Sequence, residues 1–184
     1  MAEGHLPPHK LHELSAPKRI RFALVTVSTS RYSLRARGRT VRDESKEVAE
    51  RAIVGAGYEV TEYRLVPDDA DAILQAVLEL LGRDDVDVVI TMGGTGPSPS
   101  DKTIETLRPL FERELEGFGS LFRQLSYEDV GAAALLSNAT AGVRGGKAIF
   151  CLPGSPRAAK LALERLILPV IGHLLAVRRG LVSR

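Results

Sequence analysis

The chain has a single cysteine, Cys151, so a disulfide within the chain is excluded. It lies in the apolar run 148–152, where a small buried core side chain is expected. The absence of disulfides suits a reducing compartment, and we predict a cytoplasmic location. No apolar stretch reaches the length of a bilayer span and no signal peptide is recognisable, so we expect no membrane association.

An excess of charge of one sign is also missing. The chain has 25 lysines and arginines against 23 carboxylates, which leaves a net charge of +2. That balance gives no bulk attraction to nucleic acid, and none is predicted as a partner. Its 184 residues suffice for one domain with a substantial core. Because residues 1–20 are polar and broken by prolines, we predict a flexible N-terminal arm there and a single domain over 21–184.

The two best-known phosphate-binding motifs are absent, namely the P-loop spacing and the dinucleotide fingerprint Gly-x-Gly-x-x-Gly. Instead, a buried-strand pattern over 86–92 ends in Gly93-Gly94-Thr95-Gly96. Glycines at such a strand end let backbone amides approach an anion closely. Asp101 follows, and a carboxylate beside a phosphate is well placed to hold Mg²⁺. Two plainer interpretations stay open: an ordinary tight turn, and Asp101 as a helix cap.

Strand and helix patterns alternate along the rest of the chain. Apolar runs predict buried strands over 21–27 and 147–152, and an alternating run predicts a more exposed strand over 58–64. Apolar spacing and capping residues predict helices over 43–54, from Asp69 or Asp71 to 81, from Ser155 onward, and over 170–178. Residues 31–40, rich in arginine, are interpreted as a basic surface loop.

The segment between the glycine motif and the last strand is less regular. Apolar residues from Ile104 to Leu115 predict a helix that is short or kinked at Pro109. We expect Gly117 and Gly119 to end that pattern, with short helices following over 121–125 and 132–136.

This alternation predicts an α/β fold with a mostly parallel sheet covered on both faces. Three strand ends, at 28–30, 93–96 and 153–155, then meet at one edge of the sheet, the edge where such sheets bind ligands. Asp68, after the second strand, and Asp101 add two carboxylates there. Hydroxyls, amides and carboxylates in this combination favour a Mg²⁺-nucleotide or phosphate site, without a cysteine nucleophile or a well-placed histidine base.

Read together, six segments resemble the molybdenum-cofactor biosynthesis family, that is, the MoaB/MogA proteins and the gephyrin G-domain. The resemblance extends from about Arg21 to Val177, and the MoaB branch is the more similar. The segments that carry it, in family order, are Val25-Thr26-Val27-Ser28-Thr29-Ser30-Arg31-Tyr32, Asp43-Glu44-Ser45, Leu65-Val66-Pro67-Asp68-Asp69, Ile90-Thr91-Met92-Gly93-Gly94-Thr95-Gly96 with Ser100-Asp101-Lys102-Thr103, Leu136-Ser137-Asn138-Ala139, and Leu152-Pro153-Gly154-Ser155-Pro156.

The resemblance implies a three-layer α/β/α sandwich of the molybdopterin-binding, MogA-like fold, assembled as a homo-oligomer, either trimer or hexamer. The activity that it implies is adenylylation of molybdopterin before metal insertion, with Mg²⁺ as cofactor and ATP and molybdopterin as substrates. The molybdate-inserting enzyme is the protein partner implied. Whether molybdenum or tungsten is inserted downstream is left open.

The resemblance also assigns roles to residues. Asp101 matches the family's essential carboxylate and Asp68 its second one, so both are predicted to act in catalysis and to hold the metal. Ser126 and Ser137 match serines that hold the pterin. The other predicted substrate contacts lie at the strand ends; they are Ser28, Gly93, Gly94, Thr95, Gly96, Gly154 and Ser155.

The chain departs from the family pattern at several positions. Ser100 stands where an arginine is usual, Asn138 replaces another arginine, Lys46 a glycine and Thr29 an aspartate. An arginine missing beside a phosphate site removes a bidentate anion contact. Two hypotheses follow: a molybdopterin adenylyltransferase, or a non-catalytic carrier or scaffold that binds molybdopterin without adenylylating it.

Overall fold

A six-stranded sheet forms the middle layer of the computed structural model, which describes residues 19–181. The strands are β1 (Arg21–Val27), β2 (Glu59–Val66), β3 (Val88–Met92), β4 (Arg113–Glu114), β5 (Thr140–Arg144) and β6 (Lys147–Leu152). The predicted arm over 1–20 lies outside the described residues except for its last two. Of these, Ile20 is completely buried, so the folded core includes at least one residue that the prediction assigned to the arm.

The strand order is β2-β1-β3-β6-β5-β4, and the first four strands are parallel. The mostly parallel sheet is therefore confirmed, with β2 at an edge as its alternating pattern predicts. Strand β5 was not predicted; it runs antiparallel to β6. The two are joined by Gly145 and Gly146, whose φ angles of +55° and +77° suit the tight turn that links two antiparallel strands.

Helices cover both faces of the sheet. They are α1 (Thr29–Ala36), α2 (Glu44–Gly55), α3 (Ala70–Leu81), α4 (Thr103–Leu107), α5 (Glu116–Val130), α6 (Pro156–Ala162) and α7 (Ile171–Arg178). Buried side chains of α2, α5, α6 and α7 form one apolar cluster with the sheet, and those of α3 and α4 form a second one. The three-layer sandwich is confirmed. Within residues 19–181, no helix combines the length and apolar character needed to cross a bilayer.

Two local predictions are wrong. The basic stretch predicted as a loop over 31–40 begins as α1, capped by Ser28, whose Oγ accepts from the Arg31 amide at 3.4 Å. This helix buries none of its residues, and its arginine, serine and threonine side chains are also typical of a solvated loop. Gly117 and Gly119 do not end a helix; both lie inside α5.

The helix before Pro109 is short rather than kinked, which is one of the two predicted alternatives. Helix α4 ends at Leu107 and a 3₁₀ turn, Arg108–Leu110, contains the proline. The chain then enters β4 at Arg113, so Leu115 belongs to no helix in this region and precedes α5 instead.

Candidate functional site

The carboxyl ends of the parallel strands lie side by side at one edge of the sheet. In the strand register, Thr26 pairs with Met92, and Met92 pairs with Leu152, so β1, β3 and β6 end level. Strand β5 runs the other way, and its first residue, Thr140, pairs with Cys151. The loop that precedes Thr140 therefore enters the same edge. The sheet brings together the strand ends that the sequence predicts to meet.

The glycine motif forms a turn that is packed against two other loops. Gly93 and Gly94 have φ angles of +113° and +64°, a region that favours glycine. The Gly93 amide donates to the Leu152 carbonyl at 2.9 Å. A Cβ on Gly93 would collide with the Val27 carbonyl, and a Cβ on Gly154 would lie 3.2 Å from the Gly93 Cα. The backbone segments that follow β1, β3 and β6 are thus in direct contact.

Both predicted carboxylates lie over this turn. A Cβ on Gly94 would collide with Oδ1 of Asp68, and a Cβ on Gly96 would lie 2.8 Å from Oδ2 of Asp101. Each glycine therefore leaves the space that one carboxylate occupies. The close approach of two carboxylates to the turn is more than an ordinary tight turn requires.

Neither carboxylate acts as a helix cap. Helix α3 is capped by Asp69, which accepts from the Ala72 amide, and Asp68 stands one residue earlier. Helix α4 begins after Lys102 without any side-chain cap. Asp101 instead accepts from the Ser98 amide at 3.0 Å through Oδ2. The interpretation of Asp101 as a helix cap is therefore wrong.

The Asp68 carboxyl is in an unfavourable electrostatic position. Its Oδ1 is buried and has no hydrogen-bond partner among the described residues. Burial and the negative charge of Asp101 raise the pKa of Asp68 above its ordinary value. A buried acceptor without a donor, next to a second carboxylate, is the arrangement that a cation relieves.

The donor set fits the Mg²⁺ that the resemblance implies. Mg²⁺ is commonly held by one or two carboxylates together with phosphate oxygens and water, rather than by a cage made only of protein groups. Asp68 and Asp101 supply two carboxylates beside the glycine turn. Within the described residues, no group of three or more His, Cys, Asp or Glu side chains gathers as a possible metal cage.

Two threonines that were not predicted as site residues hold the loops in place. Thr103 is buried; its Oγ1 donates to the Gly93 carbonyl at 2.8 Å, and its amide donates to the Gly94 carbonyl at 2.9 Å. Thr29, at one of the departures from the family pattern, accepts from the Asp68 amide through Oγ1 at 2.9 Å. The Thr103 bonds join the start of α4 to the glycine turn, and the Thr29 bond joins the start of α1 to the Asp68 loop. No local sequence signal specifies these bonds.

A third unpredicted residue, Ser45, fixes the loop after β6. It is completely buried, and its Oγ donates to the Gly154 carbonyl at 2.6 Å. The next hydroxyl, that of Ser155, caps α6 by accepting from the Ala158 amide at 3.2 Å, as the sequence predicts. Ser45 belongs to the family motif Asp43-Glu44-Ser45, so the sequence marks its position, but the motif alone does not indicate what the hydroxyl contacts.

The two serines expected to hold the pterin lie on different elements. Ser126 is on α5 and is 5% exposed. Ser137 follows the 3₁₀ segment Gly131–Leu136 and lies at the sheet edge next to β5. No hydrogen bond within residues 19–181 joins either serine to the glycine turn. Their roles remain predictions.

An α/β sheet whose carboxyl edge holds a glycine turn and two carboxylates has the arrangement at which open α/β sheets bind ligands. Comparison with known proteins identifies the class more narrowly. Residues 23–173 match the family described as "Probable molybdopterin binding domain", and the chain belongs to this family.

Named relatives agree with this assignment. The chain is 43% identical over 164 residues to Molybdenum cofactor biosynthesis protein B of Bacillus cereus, covering 89% of this chain and 93% of that protein. It resembles the crystal structure of the tungsten cofactor synthesizing protein MoaB from Pyrococcus furiosus, with 40% identity, a TM-score of 0.78 and coverage of 89% and 99%. The Mog protein from Mycobacterium ulcerans is 26% identical, with a TM-score of 0.73 and coverage of 86% and 99%. The resemblance to MoaB/MogA proteins is confirmed.

Proposed function

We propose that this chain acts in molybdenum cofactor biosynthesis as a Mg²⁺-ATP-dependent molybdopterin adenylyltransferase. One observation carries the proposal most directly: Oδ1 of Asp68 is buried, has no hydrogen-bond partner within residues 19–181, and lies beside a glycine turn that Asp101 also approaches. A metal bound there would be next to amides suited to phosphate. Family membership supplies the pterin as the second substrate.

The chain's own groups would bind and orient the reactants. The glycine turn offers backbone amides to a phosphate, and the threonines at 29 and 103 hold the turn and the Asp68 loop in fixed positions. Asp68 and Asp101 would hold Mg²⁺, which neutralises phosphate charge when it is bound. Adenylyl transfer forms a bond between an oxygen of the pterin's terminal phosphate and the α-phosphorus of ATP, breaks the bond between the α-phosphorus and the bridging oxygen, and releases pyrophosphate. Positioning of two anions is therefore the main task.

A carrier that binds molybdopterin without adenylylating it is the second candidate. The observation in its favour is Ser100, which stands where the family usually has arginine. Its Oγ lies 2.8 Å from Ser98 Oγ, so the hydroxyl is engaged within its own loop. No guanidinium is supplied at this position, and phosphate binding there would be weaker.

The decisive experiment compares the wild type with Asp101→Asn. Asparagine keeps an oxygen to accept from the Ser98 amide but loses the negative charge. We expect the rate at which adenylylated molybdopterin forms to fall by roughly a hundredfold or more, because the metal site is weakened. Pterin affinity and the melting temperature should change little. Product formation, pterin binding and thermal unfolding are measured on the same preparations.

Asp71→Asn is the matched control, since Asp71 is exposed in the first turn of α3, three residues from Asp68. It should turn over at the wild-type rate. Full activity of Asp101→Asn would reject the metal role. Tight pterin binding without any turnover by the wild type would reject the enzyme and favour the carrier.

A further inference from the structure

The stretch from Arg31 to Arg42 holds five arginines and no carboxylate, although the whole chain is nearly neutral. Arg42 is paired with Glu44 and Glu47. Arg35, Arg37 and Arg39 are exposed, and none of them has a salt bridge within the described residues. A concentration of unpaired guanidinium groups repels itself, and an anion would relieve that repulsion.

This stretch borders two adjoining cavities beside the edge strand β2. One has a volume of about 420 Å³ and is lined by Arg35, Arg39 and Lys46 among others; the second has a volume of about 380 Å³. Arg35 and Tyr63 line both. The arginines therefore surround a cleft large enough for a small molecule, which distinguishes them from a flat solvated face.

The walls of the cleft are held in place. The Tyr63 hydroxyl donates to Asp43 Oδ2 at 2.8 Å, and the Lys46 amide donates to Asp43 Oδ1 at 3.1 Å. Burial alone would raise the pKa of Asp43, but Thr26, the Lys46 amide, the Tyr63 hydroxyl and the charge of Arg31 together outweigh burial and lower its pKa. Asp43 therefore stays ionised at the wall of the cleft, where it is 8% exposed. Four cations, Arg35, Arg39, Arg42 and Lys46, line this cavity against two carboxylates, Asp43 and Glu47, which leaves an excess of positive charge for an anion.

The cleft is separate from the glycine turn. Helix α1 connects the two: Thr29, in its first turn, contacts the Asp68 loop, and Arg35 follows six residues later, about 9 Å along the axis. The donors also differ, because the turn offers backbone amides whereas the cleft offers forked guanidinium groups that match phosphate oxygens bidentately.

We propose that this cleft is a binding site for a condensed phosphate, that is, a di- or triphosphate group. A single phosphate would occupy only one or two cations, whereas a chain of phosphates offers oxygens to several. Arg35 and Arg39 line the cavity without a salt bridge among the described residues, and Lys46, which pairs with Glu50 at 2.5 Å, lines it as well. The group can belong to a nucleotide or be free in solution. The proposal requires neither adenylylation nor a metal at Asp68 and Asp101.

The test uses inorganic triphosphate and the full chain in a low-salt buffer with EDTA, with binding measured by calorimetry. We expect the wild type to bind triphosphate. The affinity of the double variant Arg35→Ala/Arg39→Ala should fall by about tenfold or more, since two charge-assisted contacts are lost. Arg113→Ala is the control, because Arg113 is exposed on β4 at the opposite edge of the sheet. It should bind within about twofold of the wild type. Circular dichroism checks that each variant is folded.

Further arms identify the source of the phosphates. Parallel weakening of ATP binding in the double variant indicates a nucleotide ligand, while unchanged ATP binding beside weakened triphosphate binding indicates a free condensed phosphate. The proposal is overturned if the wild type does not bind triphosphate, or if the double variant binds it as tightly as the wild type. Tighter binding of a single-stranded oligonucleotide than of triphosphate would replace the proposal with a nucleic-acid surface.

Discussion

Gly94 shows how a single residue sets the geometry of the candidate site. Its φ of +64° is a conformation that side chains rarely adopt, and its missing Cβ leaves room for Asp68 Oδ1 and Thr103 Oγ1. We predict that Gly94→Ala displaces both oxygens, abolishes molybdopterin binding and lowers stability by about 1–3 kcal/mol. Pterin titration and thermal unfolding of the same variant check both parts.

A second glycine separates backbone strain from displacement of the site. Gly57 has a similar φ of +83°, and a Cβ there would meet nothing within 4 Å. Gly57→Ala should lose about 1 kcal/mol of stability from strain but bind pterin normally. If both variants bind normally, the Asp68 contact over Gly94 is not needed for ligand binding.

At the residue scale, the sequence predicts the strand end, the glycine turn and both carboxylates. It does so because these residues stand directly after recognisable strands or in family motifs. Ser45 and Thr103 were missed as site residues, since their bonds reach backbone carbonyls that are distant in sequence or concealed in the turn. Such bonds depend on how the loops pack, which residue types alone do not specify.

Helix α5 gives a prediction at the scale of an element, because it contains two glycines in different surroundings. A Cβ on Gly119 would lie 2.6 Å from the Ala139 carbonyl, whereas a Cβ on Gly117 would meet nothing within 4 Å. Gly117→Ala should stabilise the protein by about 0.5–1 kcal/mol, since alanine loses less backbone entropy. Gly119→Ala should destabilise it by about 1–3 kcal/mol through overpacking.

Chemical denaturation of the two variants beside the wild type checks the opposite signs. Equal effects of the two substitutions would show that Gly119 does not need its close approach to Ala139. That approach also explains why Gly119 does not end a helix as its residue type predicts: it is a contact residue where α5 crosses the loop before β5.

Other elements differ in how well the sequence predicts them. The buried strands over 21–27 and 147–152 are found with the predicted bounds because their apolar runs are continuous. Strand β5 was missed, since Thr140–Arg144 is short and includes alanine and glycine, and its place is set by pairing with β6. Helix α1 was missed because it buries no side chain.

At the scale of the whole molecule, α5, the 3₁₀ segment after it, and α7 with the residue before it carry seven of the twelve exposed large apolar side chains among the described residues. Around α5 and the 3₁₀ segment after it, Tyr127, Leu135 and Leu136 are 64%, 74% and 63% exposed, and Leu121 is 51% exposed. Val170 and Val177, at the start of and within α7, are also half exposed. An apolar surface of this kind on a folded chain commonly marks an interface with another protein.

We predict that this surface joins copies of the chain into the proposed trimer or hexamer. The wild type should sediment as an oligomer at micromolar concentration, and Leu135→Asp/Leu136→Asp should shift it toward monomer, because carboxylates buried in an apolar contact are costly. Val54→Asp is the matched control, since Val54 is 57% exposed on α2 and lies outside this region; it should remain oligomeric. A monomeric wild type would contradict the assembly, and an oligomer unaffected by the double substitution would place its interface elsewhere.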